Sequence, residues 1–112
     1  MSGRAYVPDG GDIVWLQFNP QAGHEQAGHR PALVLSPVTY NRLSGLMLCC
    51  PMTSRKKGYP FEVVVADAPD QPSVVLADQV KSLNWKVRKA FKKGTASSDV
   101  IAETLSKLQA LL

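Results

Sequence analysis

Short runs of alternating apolar and polar residues occupy most of the chain, and each run predicts a half-buried β-strand. Residues 12–18, for example, place Val14, Leu16 and Phe18 on one face. Further apolar or alternating runs, bounded by Gly, Pro, Ser and Asn, lie at residues 31–36, 46–52, 61–65, 74–76 and 85–91. Between two of these runs, residues 37–45 predict a short helical or irregular connection.

The end of the chain changes to helical periodicity after a break at Gly94 and Thr95. Ser97 or Ser98 can cap the N-terminus of this helix. The predicted buried face consists of Val100, Ile101, Leu105, Leu108, Leu111 and Leu112. Many short strands followed by one helix predict a mainly β, β-rich α+β fold. We expect a small barrel of bent antiparallel strands with the C-terminal helix packed on it, forming a single domain over residues 1–112.

Basic residues are unevenly distributed along this chain of net charge +4. Between Lys81 and Lys93 the sequence carries six of its 13 basic residues and no acid. A second cluster, Arg55 to Lys57, follows an apolar strand. Such clusters are either a solvated basic face or a surface for a phosphate backbone.

Hydrophobic segments and cysteines indicate the compartment. No apolar stretch approaches the roughly 18 residues of a membrane helix, and the first residues lack the apolar segment of a secretory signal. Cys49 and Cys50 are adjacent in a predicted strand, so their side chains point to opposite faces and a mutual disulfide is disfavoured. We therefore expect free thiols in a cytoplasmic protein that does not contact a membrane.

The segment from Gly23 to Pro31 combines a carboxylate, two imidazoles and a guanidinium on a glycine-containing loop. It leads directly into an apolar strand. Polar groups on a loop that ends at a rigid strand are typical of a catalytic or phosphate-binding site, although an ordinary solvated loop has the same composition.

Several kinds of catalytic site are excluded by the motifs. The chain has neither a phosphate-binding glycine loop nor a nucleophile elbow, and no cluster of cysteines or carboxylates suited to a metal. We therefore expect no metal and no cofactor. A metal-free site can still cleave RNA, because the 2′-hydroxyl supplies the nucleophile. Arg30 is suited to bind the phosphate, Thr53 to donate a hydrogen bond to it, and Glu25 or His29 to accept the proton.

Four blocks of sequence together resemble the MazF/PemK toxins. They are Gly10 to Trp15, Gly23 to Pro37, Pro51 to Ser54 with Lys57 to Phe61, and Ala77 to Leu83. The blocks occur in the family's order and extend over nearly the whole chain.

The resemblance implies an SH3-like barrel that works as a homodimer. It also implies a sequence-specific, metal-independent endoribonuclease acting on single-stranded mRNA, with 2′,3′-cyclic phosphate or 3′-phosphate and 5′-hydroxyl products. A cognate MazE-like antitoxin would inhibit it. The family's catalytic Arg and Thr match Arg30 and Thr53, and its loop Glu matches Glu25. The residues expected to contact RNA are His29, Gln26, Lys56, Lys57, Gln79 and Lys81.

Two other functions are compatible with the same pattern. One is a CcdB-like toxin that poisons DNA gyrase, although its apolar C-terminus containing Trp has no counterpart in the final residues Gln109 to Leu112. The other is a barrel that binds nucleic acid without cutting it, for which exposed aromatic platforms are expected. Incubation with RNA in the presence of a chelator separates these functions from a nuclease.

Overall fold

Seven strands and two helices form the part of the chain that the computed structural model describes, residues 6–17, 29–65 and 73–112. The strands are β1 (Asp12–Gln17), β2 (His29–Val34), β3 (Leu46–Thr53), β4 (Glu62–Val65), β5 (Ser73–Leu76), β6 (Lys81–Asn84) and β7 (Phe91–Thr95). The helices are α1 (Val38–Ser44) and α2 (Ser98–Gln109), and a 3-10 turn covers Ala77–Gln79. Neither described helix is long and apolar enough to cross a membrane.

The strands pair antiparallel in one curled sheet, in the order β4-β5-β3-β2-β1-β7. Strand β3 is the longest and organises the sheet, because one of its edges pairs with β2 and the other pairs with β6 and then β5. The sheet curls into a half-barrel and α2 packs beside it. The predicted mainly β fold with a C-terminal helix is thereby confirmed.

Two apolar clusters cover opposite faces of the sheet. The first contains Val14, Leu16, Ala32, Val34, Met47, Cys49, Leu83 and Trp85. The second contains Leu33, Cys50, Met52, Val63, Val65, Val75, Ala96 and Val100. Neighbouring residues of one strand enter different clusters, as the alternation predicts. Phe18, which the sequence places with Val14, lies outside the described residues.

The two cysteines follow this alternation and confirm the prediction made from their adjacency. Cys49 and Cys50 are free, fully buried and assigned to different clusters. Burial raises the pKa of the Cys49 thiol to about 12 and that of Cys50 to about 11. Both groups therefore behave as small apolar side chains and not as nucleophiles.

Asn41 of α1 connects three separate parts of the chain. Its side chain is fully buried, and Nδ2 donates to the carbonyl oxygens of Pro8 (2.7 Å) and Ser36 (3.0 Å). The Ser36 hydroxyl donates to Asn41 Oδ1 at 2.6 Å, and the Trp85 indole donates to the Asn41 carbonyl at 2.9 Å. All the polar atoms of this buried side chain are thus paired, as a buried amide requires.

Replacing Asn41 with alanine is expected to lower the free energy of unfolding by about 3 kcal/mol. The change removes the side-chain donor to the carbonyls of Pro8 and Ser36 and the acceptor of the Ser36 hydroxyl, and it opens a cavity. Urea denaturation measures the effect, with Thr39→Ala, an exposed position of the same helix, as the control. An Asn41→Ala midpoint equal to that of the control would show that the network contributes no stability.

Residues 85–91 do not form the strand that their alternation predicts. The segment from Trp85 to Lys89 is a series of turns, with Lys89 at a φ of 55°. The Asn84 side chain initiates them by accepting hydrogen bonds from the amides of Lys86 and Val87, each at 3.0 Å. Strand β7 instead begins at Phe91 and continues through the predicted break. The basic side chains of this region consequently do not form one flat stripe.

Helix α2 begins as predicted but buries a narrower face. The Ser97 hydroxyl accepts a hydrogen bond from the Val100 amide at 3.2 Å, which makes Ser97 the N-cap. Val100 is buried together with Thr104, whose hydroxyl donates to the Val100 carbonyl. The prediction was wrong for Leu105, Leu111 and Leu112, which are 41%, 50% and 97% exposed. The last two lie beyond the end of the helix at Gln109.

Candidate active site

Arg30 and Thr53 meet because of the register between β2 and β3. The two strands pair Ala32 with Pro51 and Leu33 with Cys50. Continued two positions beyond the Ala32–Pro51 pair, this register would bring Arg30 opposite Thr53. Side chains opposite one another in an antiparallel pair share a face and lie about 5 Å apart at Cβ. Both residues indeed line a single cavity of about 580 Å³.

Strand ends and the loops that follow them supply the remaining walls of the cavity. Its lining residues are Arg30, Thr53, Arg55, Lys57, Tyr59, Glu62, Leu76, Asp78 and Gln79. Of the residues predicted from the sequence, Arg30, Thr53, Lys57 and Gln79 are therefore brought together.

The other predicted residues are placed differently. His29 precedes Arg30 in β2, so its side chain points to the other face, where its ring lies edge-on to Phe91 at a centroid distance of 6.3 Å. Lys56 and Lys81 are exposed and do not line the cavity. Glu25 and Gln26 lie outside the described residues.

Backbone amides of the loop between β3 and β4 are held by side chains of the cavity wall. The Arg55 amide donates to Thr53 Oγ1 at 3.2 Å. The Glu62 carboxylate accepts hydrogen bonds from the amides of Lys57 (3.2 Å) and Gly58 (3.0 Å). Gly58 has a φ of 78°, a left-handed conformation that glycine adopts readily. The loop thus has a defined path that directs Arg55 and Lys57 into the cavity.

Tyr59 and Asp78 form a second polar group in the wall. Asp78 raises the pKa of the Tyr59 hydroxyl, mainly through its negative charge and secondly through a side-chain hydrogen bond. Among the described residues, Asp78 Oδ1 is buried and has no hydrogen-bond partner. Tyr59, Glu62 and Asp78 were not among the residues predicted from the sequence. Only their positions in the sequence could have indicated them, because each lies within or beside a block that resembles the toxin family.

The charges in the cavity suit a phosphate ester. Three cations, Arg30, Arg55 and Lys57, line it together with two acids, Glu62 and Asp78, so the cations are in excess. The hydroxyls of Thr53 and Tyr59 are further hydrogen-bonding groups. In the ranges that the structure describes, no three His, Cys, Asp or Glu side chains are grouped so as to hold a metal ion. A phosphate in this cavity would be bound by side-chain donors.

Comparison with known proteins identifies the family. Residues 9–112 match the model of the PemK-like, MazF-like toxin of type II toxin-antitoxin systems. The chain is 50% identical over 107 residues to the endoribonuclease toxin MazF of Escherichia coli strain K12, covering 96% of each protein. It is 39% identical to the endoribonuclease toxin ChpB of the same strain, covering 91% of each.

Solved structures agree with this comparison. The crystal structure of MazF from Deinococcus radiodurans superposes with a TM-score of 0.85 at 56% identity, covering 96% of this chain and 97% of that one. A MazE–MazF crystal structure from the same organism gives a TM-score of 0.85 at 50% identity, covering 96% of each chain. The chain with its Arg30–Thr53 cavity belongs to the PemK/MazF family of type II toxin-antitoxin toxins.

Proposed function

We propose that this protein is a toxin that cuts single-stranded mRNA at a specific sequence, without a metal ion. The observation that carries the proposal is the cross-strand placement of Arg30 and Thr53 in one cavity with Arg55 and Lys57. Family membership supports the reaction class, since the E. coli relatives are named endoribonucleases.

The chemistry follows from the groups in the cavity. Arg30 presents two parallel donors to phosphate oxygens and stabilises the charge that develops on phosphorus. Thr53 Oγ1 already accepts the Arg55 amide, so its hydroxyl hydrogen remains available to a nonbridging phosphate oxygen. These donors stabilise the pentacoordinate transition state more than the ground state, which is the condition for catalysis.

Proton transfer completes the reaction. The 2′ oxygen attacks phosphorus as a base removes its proton, and the bond to the 5′ oxygen breaks as that oxygen gains a proton from water. We assign the base role to Glu25, which precedes β2 in the sequence. The alternative, His29, faces away from Arg30, which favours the carboxylate. The products are a 2′,3′-cyclic phosphate, or the 3′-phosphate after its hydrolysis, and a 5′-hydroxyl.

RNA on either side of the cut would extend beyond the cavity. Lys57 and Gln79 belong to its wall, which supports assigning them to the nucleotides next to the scissile bond. Exposed Lys56 and Lys81, together with His29 and Gln26, are assigned to more distant nucleotides. Phosphate contacts by the lysines add affinity independent of sequence, whereas amide groups can read bases.

A MazE-like antitoxin is the proposed inhibitor. The D. radiodurans MazE–MazF crystal structures support this assignment. An acidic segment bound over Arg30, Arg55 and Lys57 would take the place of RNA phosphates. Salt would weaken the binding of this segment by screening the charges.

Assembly and location complete the proposal. We propose a homodimer, since Leu43 and Val87 are apolar side chains that are 88% and 60% exposed, and a second copy can cover them. We also propose a cytoplasmic location, where mRNA is present and where free thiols such as those of Cys49 and Cys50 persist.

Incubation of the purified protein with a long single-stranded RNA in excess EDTA tests the function. Cutting at a few defined sites is expected, because the proposed reaction uses only side chains and the 2′-hydroxyl. A parallel preparation of Thr53→Val, which preserves side-chain shape but removes the hydroxyl, should cut about 100-fold more slowly and thereby excludes a contaminating ribonuclease. Bound but intact RNA would indicate a non-catalytic barrel, and intact RNA with trapped gyrase would indicate a CcdB-like toxin.

A further inference from the structure

Glu62 is one of two acids, with Asp78, in the wall of a cavity that also presents the cations Arg30, Arg55 and Lys57. An acid in a phosphate-binding cavity should weaken RNA binding by direct repulsion. Both carboxylate oxygens of Glu62, however, face the chain itself. Oε1 accepts from the amides of Lys57 (3.2 Å) and Gly58 (3.0 Å), and Oε2 lies 3.2 Å from the same Lys57 amide.

We propose that Glu62 is a positioning residue, whose carboxylate holds the segment 55–59 so that Arg55 and Lys57 point toward the same phosphate as Arg30. This inference rests on the proposed function, since the phosphate belongs to the RNA that is cut. Charge-assisted hydrogen bonds to amides are stronger than neutral ones and therefore suit this role.

The remaining hydrogen bonds of the loop show why Glu62 is needed. The end of the loop is fixed independently, because Lys107 Nζ of α2 donates to the Pro60 carbonyl at 2.6 Å and the Ala77 amide donates to the Phe61 carbonyl at 3.0 Å. In the part of the chain that the structure describes, the amides of Lys57 and Gly58 have no acceptor other than Glu62. Without the carboxylate, the centre of the loop loses its attachment while both ends remain in place.

The two possible roles of Glu62, positioning and repulsion, predict opposite changes in RNA affinity when Glu62 is replaced. If the carboxylate only repels phosphate, its removal tightens RNA binding and leaves the loop as it was. If the carboxylate positions the loop, its removal weakens binding and slows cleavage, because a displacement of about 1 Å in a catalytic group can cost about 100-fold in rate.

The experiment compares Glu62→Ala and Glu62→Gln with the wild type in two assays. Asp99→Asn, which removes an exposed acid outside the cavity, is the charge-matched control. For RNA cleavage, kcat/KM should fall about 10- to 100-fold in Glu62→Ala, and Glu62→Gln, which retains one acceptor oxygen, should be intermediate. The dependence of log Kd on log salt should become shallower by about 0.7 for each cation that no longer reaches a phosphate.

Limited digestion with trypsin measures how accessible the loop is to the protease when no RNA is present. Cleavage after Arg55 and Lys56 should be faster in Glu62→Ala than in the wild type and Asp99→Asn, at an unchanged melting temperature. If Glu62→Ala is unstable, the same comparison with Glu62→Gln decides the matter. Equal trypsin rates, or tighter RNA binding by the Glu62 variants, would overturn the proposal. A wild type that cuts no RNA would instead contradict the proposed function, and the digestion would still report on the loop.

Discussion

Replacement of Arg30 by alanine is expected to slow RNA cleavage about 100- to 1000-fold, the usual cost of losing a charge-stabilising donor from an active site. The fold should be unaffected, because Arg30 is exposed at the start of β2 and lies outside both apolar clusters. Single-turnover cleavage of a defined RNA measures the effect on the chemical step.

Arg30→Lys provides the matched control for charge. A lysine preserves the positive charge but not the planar pair of donors, so little activity should return. Melting temperatures of both variants should equal that of the wild type. Cleavage by Arg30→Ala at a near wild-type rate would show that Arg30 takes no part in the reaction and that the proposed cavity is not the active site.

An RNA with one 2′-deoxy nucleotide immediately 5′ of the cut should resist cleavage altogether. Its nucleophile is missing, and among the described residues no thiol lines the cavity to replace it. The substrate should nevertheless bind with nearly unchanged affinity, because phosphate contacts dominate binding to single strands.

The position of the deoxy nucleotide supplies the control. The same substitution one nucleotide further along the RNA should not prevent cleavage. The products of that cleavage should carry a cyclic or open phosphate and a 5′-hydroxyl. Efficient cleavage at the deoxy position would rule out attack by the 2′-hydroxyl and would require a nucleophile from the protein or solvent.

Alternation along single strands predicted much of this fold. The inward position of Val14 and Leu16 and the opposite faces of Cys49 and Cys50 follow from a period of two, which tertiary structure did not disturb. The pairing of Arg30 with Thr53 is different. Each residue was proposed on chemical grounds, but their proximity depends on the β2–β3 register, which the sequence of neither strand specifies alone.

Side chains that bond to a nearby backbone explain the main errors. Asn84 diverts residues 85–89 into turns despite their alternating pattern, because its amide oxygen accepts two hydrogen bonds that a strand would leave unmade. The role of Glu62 could not be predicted from the sequence for a similar reason. Its role depends on a left-handed Gly58 that brings two amides within reach, a geometry that composition and spacing do not reveal.

Arg30 and Thr53 lie on neighbouring strands, whereas five of the seven other residues around the cavity lie in the β3–β4 loop or in the 3-10 turn. The distance between the two proposed catalytic groups is therefore fixed by strand spacing, and changes in loop length or composition leave it untouched. A nuclease built this way can acquire a new target sequence through its loops while the bond-breaking geometry is inherited unchanged. Homologous toxins with divergent loops should accordingly differ in where they cut and share how they cut.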